Sequence, residues 1–546
     1  MVKPLKPQQV VNVLVDSAAK LGALSYLVPL DLVVTPGDAV HVPFGTRTAH
    51  GIVLGAGDAA KATREVITVF GRRAHQADVE TARELARRHL CGLEKLVPRF
   101  APSSAKGAEA VPAGPVIMRP LADEAFQEDG PETKRTLAWC TPGVDRVRYA
   151  AHEAVKLATY GQVLVLCPTV AMVTAVLSQF ESGAARLDAA AARGAWSGFV
   201  KGSVTIGVGT RAAALYSPQA LGGIVVLDPE HPGHIEAQQP HTHARDVALL
   251  RSEKYDTHLT MVSSTCEPAA LAAGVKLRIV GESLPAVVLL DRSSTTNGVR
   301  LIPTHVQIEV KRALEHGLVC IVAPGRCRLV CAQCRSSRTC SLDHHPTACT
   351  CSLSPCERCG SEATKPSGWD STRLTAVFAS YPHAKNLRCV AADELGKIHG
   401  CTLTVVLDAD SPTKTATLQP ELAQLRLVQA ASGTLATQGT LLLCTQDATQ
   451  PLLQRWNARD RRGAARVCYR SAKAAGLPPF GRLVLVRIAR STAPSCANWP
   501  GHVHGPRMVK PGEWEVLVRC TDAQLESLNA PLERLRRSAK VRITVS

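Results

Sequence analysis

The sequence predicts a multidomain α/β protein: a small β-rich N-terminal domain, two tandem α/β lobes with an insert in the second, and an α+β C-terminal domain. Three observations predict it. The chain has 546 residues, far more than one hydrophobic core serves. Apolar strand-like runs alternate with helical spacing through its middle, the pattern of parallel sheets. By count from the sequence, nine of its 19 cysteines fall between Cys320 and Cys359, a density that needs a local cause.

The first hundred residues carry short apolar runs, VNVLV from Val11 and AVHVPF from Ala39, broken by Pro29, Pro36, Gly37 and Gly45. That is the pattern of a β-rich domain. Helix-forming residues run from Asp78 through Arg88, and residues 101–131, rich in Ala, Pro and Gly without periodicity, read as a linker. A first lobe is expected over 132–270. Its strands are QVLVLCP from Gln162, SVTIGVGTR from Ser203, GGIVVLD from Gly222 and THLTMVSS from Thr257. A second lobe over 271–450 has a helix from Val306 (VQIEVKRALEHG), a strand LVCIVA from Leu318 and a strand TLTVVLDAD ending at Asp410, with an insert at 320–362. The C-terminal domain, 451–546, shows a strand EWEVLVR from Glu513, a helix near Ala523–Arg536 and a strand KVRITV from Lys540.

Composition narrows the function classes. With 45% hydrophobic and 20% charged residues and no long uncharged apolar run, the sequence reads as a soluble chain without a membrane span; no signal peptide is read. The formal net charge of +17 favours an anionic partner such as nucleic acid. Aromatics make up only 4%, so contacts to a nucleic-acid backbone are expected rather than bases stacked along a row of rings.

Within the insert, Cys331-Ala-Gln-Cys334 and Cys356-Glu-Arg-Cys359 are two CxxC knuckles, a spacing that turns both thiolates of a turn toward one tetrahedral zinc ion. Between them Cys340, Asp343, His344, His345, Cys349 and Cys351 offer donors for a second ion. Disulfides are disfavoured without a secretory signal, inert thiols do not gather as paired knuckles, and redox motifs do not come as two pairs framing more ligands. Both zinc sites are expected to be structural, since four protein ligands leave no open position.

Several separate stretches, in order along the chain, resemble the PriA family of replication-restart helicases. They are YLVP from Tyr26, TPGDAVHVPFGTR over Thr35–Arg47, GIV at Gly51, VLVLCPTVAM from Val163, IGVGTRAAAL from Ile206, IVVLDPEH over Ile224–His231, HARDVALLR from His243, SSTCEP from Ser263 and LPPFGRLVLVRI from Leu477. The resemblance implies an N-terminal domain that recognises a DNA 3′ end at a fork and two RecA-like helicase-type lobes. It implies one zinc ion on Cys331, Cys334, Cys356 and Cys359, and another on Cys340, Cys349 and Cys351 completed by Asp343, His344 or His345. It also implies forked and single-stranded DNA, single-stranded DNA-binding protein and other primosome components as partners, in the cytoplasm with the nucleoid. Arg47, in the VPFGTR loop, and Arg211, in the GTR segment, are the candidate DNA contacts; Arg72 and Arg73 are further phosphate candidates. Where the family has an acidic residue before the tyrosine, this chain has Ser25.

The motor motifs depart further. Nucleoside triphosphate hydrolysis of the P-loop kind needs GxxxxGK[ST], and the sequence contains no such string. At the corresponding place stands WCTPGVDRVRYA from Trp139, with Asp145 and Arg146 about where Lys and Thr belong. Exchanging attraction for repulsion there costs several kcal/mol at ~4 Å and an effective dielectric near ~20. Asp228, Glu230 and His231 remain as vestiges of the acidic motif, while VQAASGTL over Val428–Leu435 lacks the family's arginines. The sequence therefore predicts a DNA-binding restart protein that does not hydrolyse ATP. The alternatives are an ATP-dependent 3′–5′ helicase with an unconventional phosphate loop, and a zinc-stabilised protein-interaction module.

Overall fold

The computed structural model describes residues 9–16, 22–100, 115–119, 126, 128–129, 133–188, 193–266, 268–281, 285–292, 302–325, 328–338, 354–413 and 419–545. Strands β1 (Val10–Val15), β2 (Ala23–Leu27), β3 (Asp38–Phe44), β4 (Arg47–Ala56) and β5 (Thr68–Arg72) form an antiparallel sheet in the order β2-β1-β4-β3-β5. Period-two alternation gives it two faces. Val11, Val13, Tyr26, Val40, Val42 and Val53 fill one side. Leu14, Ile52 and Leu54 on the other are buried under helix α1 (Gln76–Arg88), against Val79, Ala82 and Leu85.

α1 also ties this domain to the first lobe. Asp78 forms an ion pair with Arg251 at 3.1 Å, both side chains fully buried, and accepts from the Tyr255 hydroxyl at 2.7 Å. Arg251 Nη1 donates to the Ala214 carbonyl at 2.8 Å. Burial raises the Tyr255 pKa, and the neighbouring Asp78 charge raises it further.

The first lobe is an eight-stranded sheet. By first residue its strands run 184, 206, 162, 221, 258, 135, 276 and 128, all parallel except the short Glu128–Asp129 strand at the end. Gln162–Leu166 is buried at every position, and Leu221–Leu227 at all but its first, because helices cover both faces; that is why these strands read as unbroken apolar runs. Residues 117–118 and 128–129, within the stretch read as a linker, pair with the first lobe's residues 180–182 and 279–280.

The second lobe is a five-stranded parallel sheet, by first residue 286, 435, 401, 318 and 387. A three-stranded antiparallel insert, Arg328–Cys331, Ser337–Arg338 and Thr364–Ser367, leaves it after the strand Leu318–Val322. Helices Pro451–Asn457 and Arg461–Ala474, assigned by sequence to the C-terminal domain, bury Trp456, Ala464, Ala465 and Cys468 in the core that runs through both lobes.

The C-terminal sheet is antiparallel, ordered 502, 513, 482 and 540 by first residue, and packed on helix Asp522–Ser538 through Leu525, Leu528 and Leu532. It adds two strands, Arg482–Ala489 and His502–Lys510, to the three elements read from the tail. Among the described residues, no helix is long and apolar enough to cross a membrane.

Candidate functional site

Ligands of open parallel sheets sit beyond the carboxyl ends of the strands, where strand order reverses. In the first lobe that place lies after strands Arg135–Cys140 and Leu221–Leu227, whose loops carry Thr141–Asp145 and Asp228–His231. They open on a cleft of about 490 Å³ between the lobes, closed from the second lobe by Gln429, Ser432, Trp456 and Arg461.

The end of this cleft at the N-terminus of helix Arg146–Leu157 is occupied by the protein's own groups. Asp145 caps helix Arg146–Leu157, and its Oδ1 accepts from the Val147 and Arg148 backbone amides at 3.0 and 3.2 Å. A helix N-terminus offers those amides, with the positive end of its dipole, to an anion. The next residue, Arg146, donates to both oxygens of Asp228 at 2.9 and 3.4 Å. Asp228 is buried, and its backbone φ of 47° holds it in the left-handed region. The carboxylate that would face a metal ion therefore faces a guanidinium.

Glu230 lies deeper. Burial, then the Asp228 charge, raises its pKa to about 7, opposed by the Ser263 hydroxyl, which donates to Oε1 at 2.7 Å. His231 faces elsewhere: its Nδ1 accepts from Gly233 N at 2.9 Å and caps the turn Pro232–His234.

Across the cleft the lobes meet in an aromatic contact that sequence reading missed. Trp139 and Trp456 are fully buried with ring centroids 6.4 Å apart, and Arg461 lies over them at 4.9 and 6.0 Å. Burial pulls the Arg461 pKa down to about 10. Nothing in the local sequence marks this arginine, because its partners are distant in the chain. In the VQAASGTL segment, Gln429 is buried with neither side-chain amide atom hydrogen-bonded.

The outer cysteines converge. Cys331, Cys334, Cys356 and Cys359 have sulfurs all within 4.8 Å of one another, with Cys331 to Cys359 at 3.5 Å and Cys334 to Cys356 at 3.6 Å. Disulfide sulfurs lie about 2.05 Å apart, whereas four sulfurs about 2.3 Å from a tetrahedral ion lie roughly 3.8 Å apart. The two knuckles share one backbone design. Arg335 N donates to Cys331 O and Gly360 N to Cys356 O; Cys331 N donates to Ser336 O and Cys356 N to Ser361 O. Arg335 and Gly360, directly after the second cysteine of each, both take left-handed φ, 61° and 72°. The thiols cannot all ionise unaided. Hydrogen bonds from Ser336 and then from Arg358 N pull Cys356 down to about 5. Cys359, although Ser361 N acts to lower it, is raised to about 12 by desolvation and the adjoining sulfurs. A divalent cation removes that conflict, and this donor set suits zinc. Cys340, Asp343, His344, His345, Cys349 and Cys351 lie outside the described residues.

The two candidate DNA contacts differ. Arg47 is exposed at the start of β4. Arg211 is engaged within its own lobe, 3.7 Å from Glu236 and donating to Gly233 O at 3.4 Å. The fold does not bring these two together with the cysteines or the cleft carboxylates into one site.

Residues 12–102 match a family model described as the PriA 3′DNA-binding domain. A replication restart protein PriA of Treponema pallidum (strain Nichols) is 26% identical over 322 residues, which make up 52% of this chain and 48% of that protein. The chain is thus similar to PriA replication restart proteins over its first hundred residues and, more weakly, over about half of its length. It spans about half the length of this curated PriA. The PriA domain match falls on β1–β5, α1 and the residues that follow. Among solved structures, the Mycobacterium smegmatis helicase Lhr bound to ssDNA and AMP-PNP is 13% identical. It aligns with a TM-score of 0.30 over 60% of this chain and 46% of that one. Saccharomyces cerevisiae Dbp5 bound to RNA and ADP BeF3 is 10% identical, with a TM-score of 0.29 over 72% of this chain and 92% of that one. The lobe architecture rests on the strand orders themselves rather than on these neighbours.

Proposed function

We propose that this protein is a DNA-binding replication-restart factor that recognises stalled or branched forks and helps reload the replicative helicase without unwinding DNA itself. The observation that carries the reading is the match of residues 12–102 to a 3′DNA-binding domain. The net charge of +17 supports it, since phosphate contacts made by Lys and Arg release counterions. In this reading residues 1–100 engage the fork, the lobes over 132–270 and 271–450 act as a scaffold, and zinc held by Cys331, Cys334, Cys356 and Cys359 orders the insert. Single-stranded DNA-binding protein and other primosome components are the expected partners, and the cytoplasm the expected compartment.

Three features support the absence of a motor. A triphosphate entering the cleft must displace the Asp145 carboxylate from the helix amides and separate Arg146 from Asp228. Breaking a buried pair by losing one partner costs about 3–5 kcal/mol; Arg146 is partly exposed, so the lower end or less applies here. A motor also opens and closes its cleft, whereas Trp139, Trp456 and Arg461 hold the two lobes together.

The test is phosphate release from ATP by pure protein with and without saturating forked DNA, binding being verified in the same tube. Tight, salt-sensitive fork binding without hydrolysis is expected. Fork-stimulated hydrolysis that vanishes in Glu230→Gln establishes a motor and overturns the reading. Equal affinity for forks and plain duplex removes fork recognition.

A further inference from the structure

The outer face of the N-terminal sheet is only partly covered. Leu14, Ile52 and Leu54 are buried beneath α1. Elsewhere β3, β4 and β5 bring three rings together. His41 and His50 are direct cross-strand partners, their rings stacked 5.0 Å apart at 20°. The Phe70 ring lies 5.2 Å from His50 and 6.2 Å from His41.

This group faces water. Phe70 is 57% exposed, His50 is exposed and His41 half-buried. Phe70 stands at a bulge: the β3–β5 register jumps from Val40↔Val69 to Ala39↔Gly71 and leaves it unpaired. Bulges re-aim side chains, and here the result is a phenylalanine turned onto two imidazoles instead of into a core. Three rings gathered in solvent, one of them a phenylalanine that is 57% exposed, need a cause other than core packing.

Within β3, β4 and β5 themselves the exposed charged residues are arginines. Arg47, opening β4, and Arg72, two residues beyond Phe70, are both exposed. Asp38 is the only carboxylate in β3, β4 and β5, and it is buried, accepting from Thr35 N and Oγ1 at 2.8 Å each. By strand alternation both arginines point to the opposite face from the rings, and the exposed Asp16 donates its amide to His50 O at 2.8 Å, so what this face offers is ring surface, on which the bases of single-stranded nucleic acid stack.

We propose that His41, His50 and Phe70 form a base-stacking platform for single-stranded DNA. The inference rests on the DNA-binding reading above and deepens it. The platform is separate from Ser25, whose hydroxyl donates to Asn12 Oδ1 at 2.8 Å and accepts from Asp58 N at 3.1 Å. It departs from the expectation of backbone contacts rather than stacking, which rested on an average over the whole chain and could not register a local gathering of rings.

The test uses the full chain, a fork with a single-stranded 3′ arm, and the same fork with abasic residues in that arm, read by fluorescence anisotropy. Stacking predicts that abasic residues weaken wild-type binding about tenfold. Phe70→Ala is expected to weaken binding to the intact fork by about the same factor and to lose little more on the abasic fork. His50→Ala shifts binding in the same direction, and Phe70→Trp restores it. Since Phe70 is exposed, an unchanged thermal unfolding midpoint in Phe70→Ala separates lost binding from lost fold. Wild-type affinity retained by Phe70→Ala, or equal losses on both forks, overturns the platform while leaving DNA binding intact. A wild type that binds no fork at low salt overturns the DNA-binding reading itself.

Discussion

Asp145 shows how one side chain can work in two ways. From sequence it is a negative charge where a phosphate belongs; in the fold it is also a helix cap, accepting from two amides that a phosphate would use. Repulsion alone could be relieved by Asp145→Ala, but the cap and the Arg146–Asp228 pair together imply more. That substitution should lower stability by about 0.5–2 kcal/mol in chemical denaturation, the usual cost of an N-cap. It should produce no ATP hydrolysis, because Arg146 still occupies Asp228. Glu230 supplies a pH dependence. Its folded pKa of about 7 lies above its ordinary value of 4.5, so between those values the folded state holds a proton that the unfolded state has lost. Stability then falls as pH rises from about 4.5 through 7. Glu230→Gln should flatten that slope when unfolding midpoints are followed across the range. The acidic motif was legible in the sequence, but its capture by Arg146 was not, since nothing in a linear string brings residue 146 to residue 228.

Among the elements, the zinc knuckles were the most legible because their geometry is local. A CxxC turn followed by a residue in left-handed φ aims two sulfurs at one point, and two such turns need only be brought together. The parallel strands were legible for a related reason: burial on both faces leaves runs such as QVLVL and IVVL. The C-terminal sheet was less so. His502–Lys510 is an edge strand with mostly exposed side chains and two register shifts, so no apolar alternation announces it. For the insert, Cys356→Ser should lower the zinc content by one ion per chain in elemental analysis. It should also speed amide exchange in Arg328–Cys331 and Thr364–Ser367, because ion binding supplies the folding free energy of a segment with so small a core. The strands Leu318–Val322 and Cys401–Val406 should keep their protection, since their contacts lie in the lobe's own core.

Across the whole molecule, the N-terminal domain is fastened to the first lobe by an apolar contact and one buried ion pair. Leu85, Leu96, Val97 and Phe100 join the core that continues through both lobes, and Asp78 meets Arg251 inside it. The sequence displayed HARDVALLR as a motif but gave no sign that its last arginine reaches back to α1. The pair carries risk as well as specificity. Both charges have left water, and Arg251 finds one carboxylate, one carbonyl and the rings of Phe100 and Tyr255 at 5.8 and 5.5 Å. Removing one partner leaves the other charged and buried, so Asp78→Ala or Arg251→Ala should each cost about 3–5 kcal/mol in urea unfolding. Exchanging both for apolar residues of similar volume, Asp78→Leu with Arg251→Met, removes the uncompensated charge, and its cost should fall well below the sum of the single losses. If the pair serves to fix how the N-terminal domain sits on the lobes, the proposed fork recognition predicts that the double variant remains folded and binds isolated single strands normally while losing its preference for forks. A double variant that keeps fork preference would limit the pair's role to stability and leave the domain's orientation to the apolar contact and to the polar ties from His75 to Ser217 and Gln219 and from Arg99 to Glu236.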